Sequence, residues 1–158
     1  SGPVYKQVGL KLNGEESKQE LADKLGILGA QEITKILTSK TLPSTTRQTG
    51  SPVLCKLIQK SDSKLDLTKP ATQLIREVRA HLNWPGSKLE LKLKNKSKLD
   101  LTITKANTIT EDNQKRRLLI IKTARGCLNI EKLKLPGKKE MSGKDFINGY
   151  RDRLELPH

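Results

Sequence analysis

The side chains of this chain that could do chemistry are mostly cations, and their grouping suits contact with phosphate. Gly137-Lys138-Lys139 places two ammonium groups beside a glycine that lets the backbone come close to a ligand. Other cations alternate with leucines or form a short run, namely Lys92, Lys94, Lys96, Lys98, Lys115, Arg116 and Arg117. The alternation predicts that they lie on the solvent side of a sheet or in its loops. The alternative is a solvated turn, together with lysines that prevent pairing between sheet edges.

Trp84-Pro85-Gly86 contains the only tryptophan of the chain. We expect a structural role, in which the ring plugs the junction between a helix and the first strand while Pro85 and Gly86 force the bend. We also expect a structural role for Gly137, which should allow its own turn as Gly86 does. A stacking platform for a nucleotide base is the alternative for Trp84. The other aromatic residues are too few for serial stacking along a single strand; they are Tyr5, Phe146 and Tyr150.

No set of residues for acid–base, nucleophilic or metal catalysis can be assembled from this sequence. The two histidines are His81, near a predicted helix end where a capping or dipole role is expected, and His158, the last residue. Cys55 and Cys127 lie far apart without metal-ligand spacing, which favours free thiols in a reducing compartment. We therefore predict no catalytic residue, no metal and no cofactor for this chain. No apolar run is long enough to span a membrane, so no membrane partner is expected.

The charge of the chain is high and unevenly spread. The 158 residues carry 31 Lys/Arg against 17 Asp/Glu, a formal net charge of +14. The net charge is +1 for residues 1–42, +3 for residues 43–69 and +10 for residues 70–158. An excess on the carboxy-terminal part is typical of a surface that meets a polyanion. Solubility alone is the alternative, but glutamate would then nearly balance lysine, so the charge favours nucleic acid.

The first part of the chain predicts too few elements for a core of its own. Residues 4–12 alternate weakly and predict a strand, and Ser17 with Glu20 forms a capping box that opens a helix. A second helical piece should follow and end before Pro43. We therefore expect residues 1–42 to be the end of a larger α/β domain, and residues 43–69, rich in Ser, Thr, Pro and Gly, to be a linker.

Residues 70–158 predict an α+β domain with a small curled antiparallel sheet. Thr68 should cap a helix whose apolar face is Ala71, Leu74, Ile75, Val78 and Leu82. Residues 88–94 and 98–104 alternate leucine with charged or polar residues and predict a hairpin, while residues 117–124 are apolar on both faces and predict a central strand. The apolar parity shifts within residues 127–135, which indicates a β-bulge, and Ser142 should cap a last helix.

Two stretches, in the same order and at similar separation, resemble the carboxy-terminal domain of methionyl-tRNA formyltransferases. The first leads from Arg79-Ala80 to Trp84-Pro85-Gly86, and the second is Gly137-Lys138-Lys139 followed by Met141 and a closing helix. The likeness covers nearly the whole chain. It implies that residues 1–42 end the formyl-transfer domain, that 43–69 are the interdomain linker, and that 70–158 form an oligonucleotide-fold-like β-barrel with flanking helices that binds tRNA.

The resemblance also implies a function for the parent enzyme, namely transfer of a formyl group from 10-formyltetrahydrofolate to methionyl initiator tRNA in the cytoplasm. The family's catalytic Asn, His and Asp cannot be matched to any residue of this chain, so we expect the chain alone to be inactive. Its partner would be tRNA, bound by the cations named above. The family carries a further strand segment where this sequence has the short polar stretch 106–116, which predicts a barrel that lacks a strand or is more open.

Two other classes of protein remain open. A related sugar-nucleotide or folate formyltransferase shares the scaffold without binding tRNA, and the net charge of +10 on residues 70–158 argues against it. A standalone basic nucleic-acid-binding module has no enzymatic parent, and the incomplete half-domain at residues 1–42 argues against that.

Overall fold

The computed structural model describes residues 2–109 and 118–155, which fold as an α+β protein. The helices in this part are α1 (Lys18–Thr38), α2 (Ala71–Ala80) and α3 (Gly143–Tyr150), with a short 3-10 turn at Lys60–Ser63. The strands form one antiparallel sheet; they are β1 (Ser87–Lys92), β2 (Lys98–Ile109), β3 (Leu119–Lys122), β4 (Cys127–Lys134) and β5 (Glu140–Ser142). The chain divides into two compact units, unit 1 (Ser1–Leu57) and unit 2 (Ile58–His158).

Unit 1 is built around α1, and the predicted capping box that opens this helix is confirmed. The Ser17 hydroxyl accepts a hydrogen bond from the backbone N–H of Glu20 at 3.3 Å, and the Glu20 carboxylate accepts one from the N–H of Ser17 at 2.8 Å. The helix runs through Gly26 and Gly29 without a break. The prediction of two helical pieces was therefore wrong, since each glycine weakens a helix by only about 1 kcal/mol and its neighbours favour helix.

The strand predicted for residues 4–12 does not form. Val4 alone pairs, in an isolated antiparallel bridge to Thr46 with two hydrogen bonds of 2.8 Å. An alternating segment becomes a strand only when a neighbour completes its hydrogen-bond ladder, and the described part of unit 1 offers none.

Unit 2 begins with a segment that packs onto the sheet. Leu65 is buried in the core, and its N–H donates to the carbonyl of Lys88 at 2.9 Å. The composition predicts a linker that ends at residue 69. In the structure, residues from Ile58 onward belong to unit 2.

The helix α2 follows this segment, and its apolar face lies where the periodicity predicts it. Ala71, Leu74, Ile75 and Val78 are buried, and Leu82 beyond the helix end is half-buried. The predicted cap was wrong. Pro70 occupies the N-cap position, and the Thr68 hydroxyl instead donates to the carboxylate of Asp66 at 2.7 Å.

The sheet has the order β1-β2-β4-β3, and β5 also pairs with β4. The β1–β2 hairpin is confirmed, with Leu91 opposite Leu99 and Lys92 opposite Lys98. The prediction that residues 117–124 form a central strand was wrong, because β3 pairs only with β4 in the part of the chain described. The helix α3 packs against β3 instead, since a Cβ at Gly143 would lie only 3.5 Å from the Cβ of Leu119.

The bulge predicted in β4 is confirmed. Ile103 pairs with Leu133, Lys105 with Lys132 and Ala106 with Ile130, so the register shifts twice along β2 and β4. The extra residues are Thr104 and Glu131, and such irregularities bend a sheet. Within residues 2–109 and 118–155, β1 and β3 do not pair, and the curled sheet is an open half-barrel.

The core lies entirely within unit 2. Every buried hydrophobic residue of the described part falls between Leu65 and Leu154. The largest fully buried side chains come from α2, the sheet and α3; they are Phe146, Leu74, Leu101, Ile103, Leu119, Leu128, Ile130 and Leu133. This packing fixes the loops at both ends of the sheet.

Candidate nucleic-acid interface

The β1–β2 hairpin presents three lysines without a carboxylate partner among the described residues. Lys92 ends β1, and Lys94 and Lys96 lie in the turn, where Lys96 has a φ of 65°. All three side chains are exposed, as predicted. Lys98 differs from them, because its Nζ lies 2.9 Å from the Glu90 carboxylate. Their hydrogen bond raises the pKa of Lys98 and lowers the pKa of Glu90, so each charge is partly neutralised.

The turn after β4 carries two further lysines, Lys138 and Lys139. The N–H of Lys138 donates to the carbonyl of Leu135 at 3.0 Å. Gly137 has a φ of 71°, a backbone conformation that glycine adopts more readily than other residues. The Lys138 ammonium lies 3.4 Å from the Tyr150 hydroxyl and 6.0 Å from the centre of its ring. Lys139 is exposed and has no carboxylate partner in the described part.

Tyr150 connects this turn with a cation that sequence reasoning missed. Its ring stacks on the buried ring of Phe146, with centroids 4.8 Å apart and an interplanar angle of 14°. The guanidinium carbon of Arg153 lies 5.9 Å from the centre of the Tyr150 ring. Tyr150 therefore contacts both cations, Lys138 through its hydroxyl and Arg153 through its ring. The spacing of Phe146 and Tyr150, one helical turn apart, was the available signal.

Backbone contacts join these residues to the hairpin. The N–H of Lys94 donates to the carbonyl of Arg153 at 2.9 Å, and the N–H of Glu155 donates to the carbonyl of Lys92 at 3.1 Å. Because β4 runs antiparallel to β2 and ends opposite Thr102, the turn after it points toward the hairpin end of the sheet. We name as the basic cluster the cations gathered at this end, namely Lys92, Lys94, Lys96, Lys138, Lys139 and Arg153.

The acids near the basic cluster do not neutralise it. Asp152 directly precedes Arg153, and Glu155 lies two residues after it; both are exposed. Neither forms an ion pair with a cluster residue within the described ranges. The cluster therefore keeps an excess of positive charge at one end of the sheet.

Two other lysines of the sheet are paired with glutamates. Lys105 lies 2.9 Å from Glu131, and Lys132 lies 3.4 Å from Glu140. These two charges are therefore partly neutralised, unlike those of the basic cluster. Lys115, Arg116 and Arg117, which the sequence also assigns to phosphate contact, lie outside the described residues.

The Trp84 side chain is 53% exposed, so the predicted buried plug was wrong. The corner is closed by backbone instead, with the N–H of Gly86 donating to the carbonyl of His81 at 2.9 Å. Pro85 is half-buried, and the Trp84–Pro85 peptide is cis. Gly86 is required structurally, because its φ is 78° and a Cβ there would lie 3.3 Å from Cγ2 of Thr102.

The described residues offer little for catalysis. They contain no group of three or more His, Cys, Asp or Glu that could hold a metal ion. His81 caps the C-terminus of α2, and its buried Nδ1 has no hydrogen-bond partner in this part of the chain. The family resemblance implies that the Asn, His and Asp that act with 10-formyltetrahydrofolate have no counterpart in this chain, and no described residue is assigned to that group. None of the described helices has the length and apolar character needed to cross a membrane.

Comparison with solved structures identifies a similar fold. A multiply substituted variant of HypX from Aquifex aeolicus matches with a TM-score of 0.58 and 13% identity, over 99% of this chain and 29% of that one. At such low identity the match supports the fold alone.

Comparisons of sequence identify the family. A methionyl-tRNA formyltransferase of Treponema denticola is 27% identical over 98% of this chain and 52% of that protein. The methionyl-tRNA formyltransferase of Buchnera aphidicola is 31% identical over 94% of this chain and 48% of that protein. The chain thus spans about half the length of the curated relatives it matches, and the resemblance found in the sequence is confirmed. Since the model of the formyl transferase C-terminal domain matches residues 57–151, the chain belongs to that family.

Proposed function

We propose that this chain is the tRNA-binding part of a methionyl-tRNA formyltransferase. Unit 2 binds initiator tRNA so that a formyl-transfer domain can pass a formyl group from 10-formyltetrahydrofolate to the methionyl amino group. In this proposal residues 1–42 end the formyl-transfer domain, and residues 43–69 connect the two domains, with the part from Ile58 onward packed into unit 2. Residues 70–158 form an open barrel related to the oligonucleotide-binding fold.

The observation that supports tRNA binding best is the basic cluster. Its lysines come from two places far apart in sequence and form no ion pair among the described residues. Lys138 contacts Tyr150, as Arg153 does, and the hairpin is joined to Arg153 by the backbone bond from Lys94. Unneutralised ammonium and guanidinium groups at one end of a rigid sheet suit binding to a phosphate backbone, because each contact releases a condensed counterion. The relatives' name indicates tRNA as the polyanion.

The contacts of Tyr150 favour phosphate binding at this end of the sheet. Its hydroxyl and ring contact Lys138 and Arg153, which reduces the side-chain entropy that these residues lose on binding, about 1–2 kcal/mol for an unrestrained side chain. Phosphate contacts position a nucleic acid but do not identify its bases. Unit 2 then supplies affinity and orientation, while discrimination of the methionyl group belongs to the formyl-transfer domain.

A pair of charge-matched variants tests this function. Lys138→Ala with Lys139→Ala removes two charges from the basic cluster, and Lys105→Ala with Lys132→Ala removes two lysines that are already paired with glutamates. Fluorescence polarisation with labelled initiator tRNA measures both. We expect the first variant to bind roughly ten- to hundredfold more weakly near 0.1 M salt, and the second less than about threefold. Equal losses in the two variants would indicate nonspecific attraction to the whole surface.

A further inference from the structure

Trp84 presents an exposed indole on a turn whose backbone is fixed. The turn contains Pro85 and two residues with positive φ, Asn83 at 70° and Gly86 at 78°. Its hydrogen bond from Gly86 to His81 is 2.9 Å long. Tryptophan is on average one of the more buried residue types, whereas Trp84 is 53% exposed at a fixed position, so its indole is available for contact with a partner.

Two lysines lie beside this turn on the outer face of the sheet. The turn closes against Thr102, which pairs with Lys88 of β1 on one side and with Lys134 of β4 on the other. The neighbouring residues Leu101 and Leu133 are buried, and Lys88 and Lys134 are exposed, so the lysines are on the solvent side. Their Cα atoms are about 10 Å apart, two strand spacings.

Neither Lys88 nor Lys134 forms an ion pair within the described residues. Glu140 is the cross-strand neighbour of Lys134, but its carboxylate contacts Lys132 at 3.4 Å. The pKa of Glu140 is lowered by the Thr104 hydroxyl first, by Lys132 next and by the charge of Lys134 as well, so Glu140 offsets part of the charge of this row. The turn that carries Trp84 therefore closes against a row with two lysines that form no described ion pair, and an aromatic ring combined with cations binds single-stranded nucleic acid.

The position of this row relates it to the basic cluster. The strand β1 leads from Gly86 to the hairpin, and the seven steps from Gly86 to Leu93 span about 23 Å. An RNA strand that follows β1 along the outer face would meet the basic cluster at one end and Trp84 at the other. Between them it would pass the cross-strand pair Glu90 and Asp100, of which Glu90 is paired with Lys98.

We propose that Trp84 stacks on one unpaired base of the bound RNA while Lys88 and Lys134 bind the phosphates beside it. This inference rests on the proposed function and extends it by naming the kind of nucleotide that unit 2 contacts. A paired base has its faces covered by its neighbours in the helix, so the nucleotide must be single-stranded. One stacked base requires one ring, which agrees with the small number of aromatics, and stacking tolerates any base.

Fluorescence of the full chain tests the inference, because Trp84 is its only tryptophan. The probes are a short single-stranded RNA and a blunt-ended duplex of the same sequence. We expect the single strand to quench the emission and the duplex to leave it unchanged. Trp84→Ala should bind the single strand roughly five- to 150-fold more weakly, and Trp84→Phe, which keeps a ring, should retain most of the affinity. Circular dichroism checks that both variants fold.

The outcomes separate this inference from the proposed function. Absence of quenching by the single strand, or unchanged affinity in folded Trp84→Ala, overturns the stacking role. If tRNA still binds in that case and Lys138→Ala with Lys139→Ala weakens it, the proposed function stands alone. If tRNA does not bind the wild-type chain, both proposals are wrong. A folded Trp84→Ala that binds RNA normally but loses association with a formyl-transfer domain would assign the ring to a protein contact and overturn the inference.

Discussion

Gly143 lies where the chain has no room for a side chain. A Cβ at this position would overlap the carbonyl oxygen of Ile130 and would also come within 3.5 Å of Leu119. The first residue of α3 thus packs directly on the bulged part of β4. Gly149, in the same helix, has open space around it.

Alanine at these two glycines should have opposite effects on stability. We expect Gly143→Ala to lower the free energy of unfolding by about 1–3 kcal/mol, because α3 must move away from β4. Gly149→Ala should raise it by about 0.5–1 kcal/mol, because alanine favours helix over glycine. Urea denaturation of the two variants measures both changes. A neutral Gly143→Ala would show that α3 docks more loosely than the structure indicates.

For single residues, residue type and alternation predict which side chains are exposed, but they do not predict which other side chains these will contact. The pattern of the hairpin correctly places Lys92 and Lys98 in solvent, yet only Lys98 meets a glutamate, which depends on the hairpin register. Trp84 was assigned to the interior because large rings are usually buried, whereas the turn is closed by its own backbone and leaves the ring outside. Arg153 was missed because its role depends on a contact with Tyr150 that spacing alone does not define.

The start of α1 illustrates how an element can depend on pH. The Glu16 carboxylate accepts hydrogen bonds of 3.1 Å from the N–H groups of Asn13 and Gly14, and it contacts the Lys24 ammonium at 3.2 Å. Backbone donors, first that of Asn13, lower the pKa of Glu16 from 4.5 to about 2. Because the pKa of Glu16 is lower in the folded turn than in the unfolded chain, its carboxylate stabilises the turn at pH values above the unfolded-state pKa. This stabilisation is lost as the pH falls through the folded-state pKa.

Acid should therefore loosen the N-terminal turn of α1. We expect the chemical shifts of residues 13–24 to move toward disordered values between about pH 4.5 and pH 2, which NMR can follow residue by residue. Glu16→Gln should remove most of this dependence and leave a smaller one from Glu20, whose pKa the backbone N–H of Ser17 lowers. A wild-type turn that stays unchanged down to pH 2 would contradict this role of Glu16.

The helix α1 should also open earlier than the sheet. None of its residues is buried, whereas β4 contributes Leu128, Ile130 and Leu133 to the core. Hydrogen exchange should therefore show amides of α1 exchanging well before those of β4, since local opening follows the amount of buried apolar contact. Equal protection of the two elements would mean that a further contact covers α1 in solution.

Elements with a strong local signal were predictable, and those defined by pairing were not. The capping box of α1, the apolar face of α2, the hairpin and the bulge in β4 all follow from short patterns. The strand β5 has only three residues and no pattern of its own, and it exists because β4 offers it a partner. The same dependence explains why residues 4–12 form no strand and why β3 lies beside β4 rather than between two neighbours.

At the scale of the whole molecule, the chain carries a net charge of +14, and the basic cluster lies on a unit that has its own core. The family resemblance implies that the catalytic Asn, His and Asp have no counterpart in this chain. We therefore expect the purified chain to show no transfer from 10-formyltetrahydrofolate to charged initiator tRNA, measured with labelled formyl donor. Turnover above background would contradict this, provided that a mock preparation from cells that do not express the chain shows none.

The most direct test of the account is the salt dependence of tRNA binding. The logarithm of the association constant should fall linearly with the logarithm of salt concentration, because phosphate contacts release counterions. In Lys138→Ala with Lys139→Ala the magnitude of this slope should be smaller by roughly one to two units, about one for each lost phosphate contact. In the control variant Lys105→Ala with Lys132→Ala the slope should stay close to that of the wild type, since those lysines are paired with glutamates. The same slope in all three proteins, or no measurable binding to tRNA, would contradict the assignment of the basic cluster as the tRNA-binding surface.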